Sequence, residues 1–281
     1  MSQLKITGLN IYPVKAMKGI ALDQARLTAT GLHNDRLWMV VRANGRFVTQ
    51  RDIPQLALVH TSLNEDGVVL SMAGHGSIAV PFNLFDGASI ETEVWGDVCK
   101  TVDQGEDISR WLTRALGSES PLRLVRMNPE FTRPQNHAEI LGEETTTEFA
   151  DAAPYLVANE ASLDRLNSEL ESSSLRRVPM NRFRPNIVVQ GLEPFAEHEL
   201  AGMKADHYQL KLRAPCERCV VTTIDQDTAE KDPHRQPFKT LATINPMPGN
   251  EKAPAFAQYA TLERGAGQYM ELGDRIEALP Q

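Results

Sequence analysis

Arg213-Ala214-Pro215-Cys216-Glu217-Arg218-Cys219-Val220-Val221-Thr222-Thr223-Ile224-Asp225, written RAPCERCVVTTID, carries two of the chain's three cysteines. Two thiols three positions apart can begin a zinc site, a redox dithiol, a nucleophile or a thiolate for a soft metal. A closed zinc site needs four ligands, yet no second CxxC or His/Cys pair stands elsewhere and Cys99 is remote. A thioredoxin-like pair sits at the start of a helix whose dipole lowers the thiol pKa; the β-branched run behind Cys219 prefers a strand instead. The plain alternative is a cysteine buried as a small hydrophobe. Cys219 is set apart by Arg218 beside it and Arg213 nearby, whose charge favours a thiolate, and by its place where a loop enters the expected strand. A thiolate there suits a soft metal. Cys216 is a neighbour without an assigned role.

The strand expectation extends over most of the chain. LKITGLNIYPVK, ALDQARLTATGL, RLWMVVRANGRFVT, LALVHTSLN, GVVLSM, SIAVPF and IETEVWGDVCKTVD read as short β segments, with Asn44-Gly45 as a hairpin turn. A helix over 107–117 follows, apolar at 108, 111, 112, 115 and 116 and closed by Gly117. After the strand LRLVRM, the polar stretch from Asn128 to Glu148 reads as a long loop, of a length more often functional than structural in a compact domain. Asn159 caps a second helix with Leu163, Leu166 and Leu170 on one face. NIVVQG, YQLKLRAP and VVTTID read as strands, and the last segment as hairpins turning at Gly265, Gly267 and Gly273.

With 281 residues, 41% hydrophobic and 23% charged, the chain can bury a sizeable core in one large or two modest lobes. A formal net charge of -8 argues against nucleic acid as a partner, since phosphate neutralisation needs a basic face. No apolar run approaches the roughly 20 residues a bilayer span needs, and the N-terminal residues lack the pattern of a signal peptide. No membrane partner and a cytoplasmic location are therefore expected. Three cysteines fit a reducing compartment.

Two further constellations could meet an anionic ligand. In Asn181-Arg182-Phe183-Arg184-Pro185-Asn186-Ile187-Val188-Val189, the proline biases Arg184 towards an extended backbone, which points Arg184 and Asn186 to one side. Such a pair offers a guanidinium fork and an amide to a planar phosphorylated ligand, although an arginine satisfying loop carbonyls would look the same. Tyr12-Pro13-Val14-Lys15-Ala16-Met17-Lys18-Gly19 puts two lysines on a glycine-containing turn, which suits phosphate but also ordinary solvation. Asp35-Arg36 ahead of LWMVV is equally ambiguous alone.

LNIYPVKAMKG, DRLWMVV, FADAAPYLVANEASL, NRFRPNIVV and APCERCVVTTID, taken in order, resemble the MOSC-domain proteins that carry an N-terminal β-barrel domain. This group includes the mitochondrial amidoxime-reducing component and its bacterial relatives, and the likeness runs from about residue 3 to 279. It implies a β-rich α+β fold: a β-barrel-like lobe over residues 1–120, packed against a MOSC β-barrel over 121–281, with a few peripheral helices. It also implies a molybdenum cofactor between the lobes, with Cys219 as the metal ligand and catalytic thiolate. Lys15 and Arg36 fall on the family's phosphate-contacting positions. Asp151, Ala153, Arg184 and Asn186 fall on its other cofactor-contacting positions. Ala16 and Ala153 lack hydroxyls that relatives can carry, which weakens single contacts by about 1 kcal/mol each.

The implied activity is reduction of N-hydroxylated compounds at the N–O bond, the substrate being a small N-hydroxylated molecule, within a broader role in detoxification. No cysteines for an iron–sulfur cluster accompany these motifs, so electrons are expected from a separate ferredoxin, flavodoxin or reductase-type protein. Pyridoxal phosphate binding is a further family-level expectation. The rival implication is a carrier of molybdenum cofactor or of persulfide sulfur on the same thiolate, without turnover.

Overall fold

A computed structural model describes residues 3–133 and 137–281. Seven strands close into a barrel. In order around it they are Tyr155–Asn159, Ile187–Gln190, Gln3–Ile11, Arg275–Pro280, Leu200–Lys204, Gln209–Glu217 and Asn250–Arg264, which pairs back to the first. Closure leaves no unpaired edge to template aggregation. The pairing of Tyr155–Asn159 with Ile187–Gln190 is parallel and is bridged by the crossover helix Glu160–Ser172; neighbouring pairs around the ring are antiparallel. Asn159 caps that helix through its Oδ1, which accepts from the Ala161 N–H at 3.1 Å. The barrel fills with alternating strand residues, among them Leu4, Ile6, Val157, Ile187, Val189 and Leu210.

The other lobe holds an antiparallel four-stranded sheet, Trp38–Arg42, Leu122–Met127, Asp97–Asp103 and Ser89–Val94. A three-stranded meander, His60–Leu63, Gly67–Met72 and Gly76–Pro81, lies beside it. The helix Glu106–Ala115 buries Ile108, Trp111, Leu112 and Ala115, the stripe its periodicity predicts. The two lobes interleave along the chain. The first strand, Gln3–Ile11, belongs to the barrel, whereas Leu122–Met127 pairs with Trp38–Arg42 and Asp97–Asp103. The chain therefore crosses between the lobes directly after Ile11, through Tyr12–Gly19.

Four expectations need correction. IETEVWGDVCKTVD is two strands, Ser89–Val94 and Asp97–Asp103, joined by the two-residue turn Trp95-Gly96. Val220–Thr223 is one turn of 3-10 helix rather than a strand: Thr222 Oγ1 donates back to the Cys219 carbonyl at 3.0 Å and Thr223 Oγ1 to the Val220 carbonyl at 2.7 Å. Those local bonds, made after the Gln209–Glu217 strand has ended, outweigh the β preference of the residues. Arg184 is left-handed at φ 53°, not extended, because it terminates the 3-10 turn Met180–Arg182. The stretch from Asn128 to Glu148 contains a short helix, Ala138–Leu141, whose Leu141 is buried; residues 134–136 lie outside those described.

One buried hydroxyl ties the Gln24–Thr28 hairpin to the barrel. Tyr155 is fully buried, accepts from the Thr28 N–H at 3.1 Å and reaches the Thr28 and Gly31 carbonyls. Tyr155→Phe leaves the partly buried Thr28 N–H and the Thr28 and Gly31 carbonyls without that hydroxyl and is expected to lower the unfolding free energy by about 1 kcal/mol in a denaturant titration. A change below about 0.5 kcal/mol would show the hydroxyl to be dispensable.

Candidate functional site

A pocket lies between the lobes, and it gathers every residue that the family resemblance assigns to the cofactor. Lys15, Arg36, Asp151, Ala153, Arg184, Asn186 and Cys219 all line it. Five stretches bring them together: the Tyr12–Gly19 crossing, the residues leading into the Trp38–Arg42 strand, the 149–153 segment, the link from Met180–Arg182 to the Ile187–Gln190 strand, and the residues just beyond the Gln209–Glu217 strand. The 149–153 segment is pinned by the Phe149 N–H, which donates to the Arg36 carbonyl at 3.0 Å.

The Tyr12–Gly19 crossing builds the cationic wall. Tyr12 is buried, with the guanidinium of Arg36 at 4.4 Å and that of Arg184 at 4.1 Å from its ring centroid. Gly19 is required here, since a Cβ on it would come within 2.5 Å of Tyr12 Cε1. Asp35 supplies the counter-charge from behind: its carboxylate pairs with Arg36 and accepts from the Tyr12 N–H at 2.7 Å. Arg184 Nη1 donates to the Met17 carbonyl at 2.7 Å. Burial, then the nearby Arg36 charge, pushes the Arg184 guanidinium down to about 10, against the pull of Tyr12, Asp35 and Asp151.

Lys15 is buried, and its ammonium donates to the Phe149 carbonyl at 2.8 Å and pairs with Asp151. Burial pushes this ammonium below its usual value, and the Asp151 charge opposes that. Asp151 also accepts from Trp95 Nε1 at 2.9 Å. Asn186 is buried and serves the fold directly: its Oδ1 accepts from the Leu156 N–H and from Arg36 Nη1, each at 3.2 Å, and its Nδ2 donates to the Asn10 carbonyl. It therefore aims Arg36 while joining three barrel strands. Ala153 is a buried wall position without a polar atom to offer.

The two cysteines have unlike surroundings. Cys219 is exposed and begins the Val220–Thr223 turn at the pocket's edge, while Cys216 is buried. The charge of Arg218 reaches Cys219, but its hydrogen bonds go elsewhere: Nη1 donates to Cys216 Sγ and Nη2 to the Phe183 carbonyl at 2.9 Å, while Arg213 Nε donates to Thr261 Oγ1 at 2.9 Å. Burial pushes the Cys216 thiol up, with the Arg218 charge opposing.

Charge sets the pocket's chemistry. Lys15, Arg36, Arg51, Arg184 and Arg218 line it against the carboxylate of Asp151, the one acidic side chain in its lining among the described residues. Two buried guanidinium nitrogens, Arg184 Nη2 and Arg218 Nε, have no hydrogen-bond partner among the described residues. Buried donors of this kind are costly unless a ligand satisfies them. Among the described residues no group of three or more His, Cys, Asp or Glu side chains is placed to hold a metal ion. A metal at Cys219 must therefore bring ligands of its own. An anionic, multiply accepting organic group that carries a soft metal fits this donor set.

Sequence reasoning missed Arg51, Trp95 and Tyr259, which also line the pocket. Trp95 was legible in principle, since a residue before glycine between two alternating segments marks a hairpin turn. Arg51 and Tyr259 carry no local signal: one lies in the irregular segment between the Trp38–Arg42 strand and the 3-10 turn Pro54–Leu58, where no strand forms after the Asn44-Gly45 turn, and the other inside the long Asn250–Arg264 strand.

Residues 3–119 match the MOSC N-terminal beta barrel domain and residues 144–277 match the MOSC domain. The human mitochondrial amidoxime-reducing component 1 is 33% identical over 288 residues, covering 98% of this chain and 83% of that protein. The bovine mitochondrial amidoxime reducing component 2 is 30% identical over the same span of 288 residues. A zebrafish molybdenum cofactor sulfurase is 32% identical over 256 residues, which is 86% of this chain but 30% of that protein. With two domain matches in sequence and a relative of this similarity along nearly its whole length, the chain belongs to the MOSC-domain proteins that carry the N-terminal beta barrel domain.

Proposed function

We propose that the chain is a molybdenum-cofactor-dependent reductase of N-hydroxylated compounds, supplied with electrons by a separate protein. The observation that carries this reading is the convergence, in one pocket, of an exposed thiol with five cations, two of which carry a buried N–H group without a partner among the described residues. Full-length similarity to proteins named as amidoxime-reducing components supports the reaction class, and the word component in that name supports an external donor. Three free thiols are in keeping with a cytoplasmic location. Among the described residues no helix is long and apolar enough to cross a membrane.

Cys219 would hold the metal as a soft anionic ligand, and Arg184 and Arg218 would donate their unused N–H groups to the anionic organic part. Lys15 and Arg36 would face its phosphate, with Asp35 and Asn186 fixing where Arg36 points. The cofactor, when bound, supplies a two-electron centre for N–O cleavage. The overall change is R–NHOH + 2 H⁺ + 2 e⁻ → R–NH₂ + H₂O.

The rival reading is a carrier that holds cofactor or persulfide sulfur on Cys219 without turnover. The similarity to a molybdenum cofactor sulfurase and the exposure of Cys219 favour keeping it in view. Cofactor-loaded protein, given a reduced viologen dye, is expected to convert benzamidoxime to benzamidine over many turnovers. Tight molybdenum binding with no turnover would transfer the assignment to the carrier. Arg184→Gln removes one charge-assisted donor and is expected to weaken cofactor retention by about tenfold or more, read as molybdenum lost during dialysis. Retention equal to wild type would remove Arg184 from the cofactor contacts.

A further inference from the structure

Trp95 occupies a position that its residue type disfavours. It is the first residue of the two-residue turn between Val94 and Asp97, and both Trp95 (φ 55°) and Gly96 (φ 92°) are left-handed. Turns of this kind select asparagine, aspartate or glycine; a bulky side chain there stores strain. The ring is nonetheless held in place. Its Nε1–H donates to Asp151 at 2.9 Å, the Arg51 guanidinium stands 4.6 Å from its centroid, and Phe47 meets it at 5.1 Å with the planes 63° apart. Despite these three supports Trp95 remains 45% exposed at the wall of the pocket that also holds Cys219. The ring belongs to neither core cluster beside the turn and touches one of them only through Phe47.

We infer that Trp95, backed by Arg51, is a specificity-determining platform on which a planar aromatic substrate stacks with its N-hydroxyl group directed towards Cys219. The inference rests on the reductase reading and deepens it: an aromatic amidoxime or N-hydroxylated heterocycle is preferred over a small aliphatic analogue. The tryptophan face supplies dispersion and quadrupole attraction to a ring, and an aliphatic compound recovers little of either. Hydrogen bonding to Asp151 couples the platform to the Lys15 side of the pocket, so the ring does not swing freely.

The experiment compares benzamidoxime with acetamidoxime on cofactor-loaded wild type, Trp95→Ala and Trp95→Phe. Trp95→Ala is expected to lower the benzamidoxime-to-acetamidoxime ratio of kcat/KM by about threefold to tenfold, and Trp95→Phe, which keeps a ring without the N–H, to preserve most of it. A ratio is insensitive to partial loss of cofactor, which a purely structural defect would cause. The second readout needs no turnover. Of three tryptophans in the chain, Trp38 and Trp111 are buried, so fluorescence quenching by added ligand reports on Trp95. Saturable quenching by benzamidoxime and not by acetamidoxime, lost in Trp95→Phe, is expected. If wild type reduces neither compound yet shows that selective quenching, the reductase reading fails and the platform stands. An unchanged ratio in Trp95→Ala, or quenching that does not distinguish the two compounds, overturns the inference.

Discussion

The site depends on one electrostatic constraint: more positive charge is buried between the lobes than the protein itself neutralises. Arg36 and Arg184 both lie against the ring of Tyr12, and Asp35 pairs with only one of them. Burying cations without partners is expensive. A ring face, backbone carbonyls and one carboxylate lower that cost without cancelling the charge, and the remainder is a standing affinity for an anion. The barrel, its crossover helix and the second lobe matter to function chiefly because they hold these groups in register. Asn186 shows the economy of the arrangement, since the same amide that joins strands also fixes Arg36.

Placement comes from chain turns more than from regular structure. Arg184 is left-handed where a 3-10 turn ends, Trp95 is left-handed in a hairpin turn, and Cys219 begins another 3-10 turn just beyond a strand. Strained backbone at such positions is tolerated when surrounding contacts over-determine it. The supports found at Trp95 and Arg184 are contacts of that sort. Exposure divides the two cysteines of the opening motif. Cys216 is buried against Arg218, and Cys219 faces the pocket, so the motif presents one accessible thiol rather than a matched pair.

Much of this could be read beforehand. The alternation of apolar residues marked the strands, Asn159 marked a helix start, and the five ordered motifs marked Lys15, Arg36, Asp151, Ala153, Arg184, Asn186 and Cys219, which do converge on one pocket. What local sequence could not carry was partnership. Arg218 adjoins Cys219 along the chain yet donates to Cys216, because the chain turns between them. Asn186 reads as a ligand contact, but its amide is engaged by strands remote in sequence. Val220–Thr223 follows threonine hydroxyl bonds to preceding carbonyls rather than β propensity, a choice open only once the barrel strand has ended.

The central claim is that a single thiol anchors a metal that arrives with its own organic ligands. Its most direct test is molybdenum per chain, measured after gel filtration of protein produced with cofactor supply, for wild type, Cys219→Ser and Cys216→Ser. The account predicts that Cys219→Ser loses the metal while Cys216→Ser keeps most of it. Metal retained in full by Cys219→Ser, or lost equally from both variants, would contradict it.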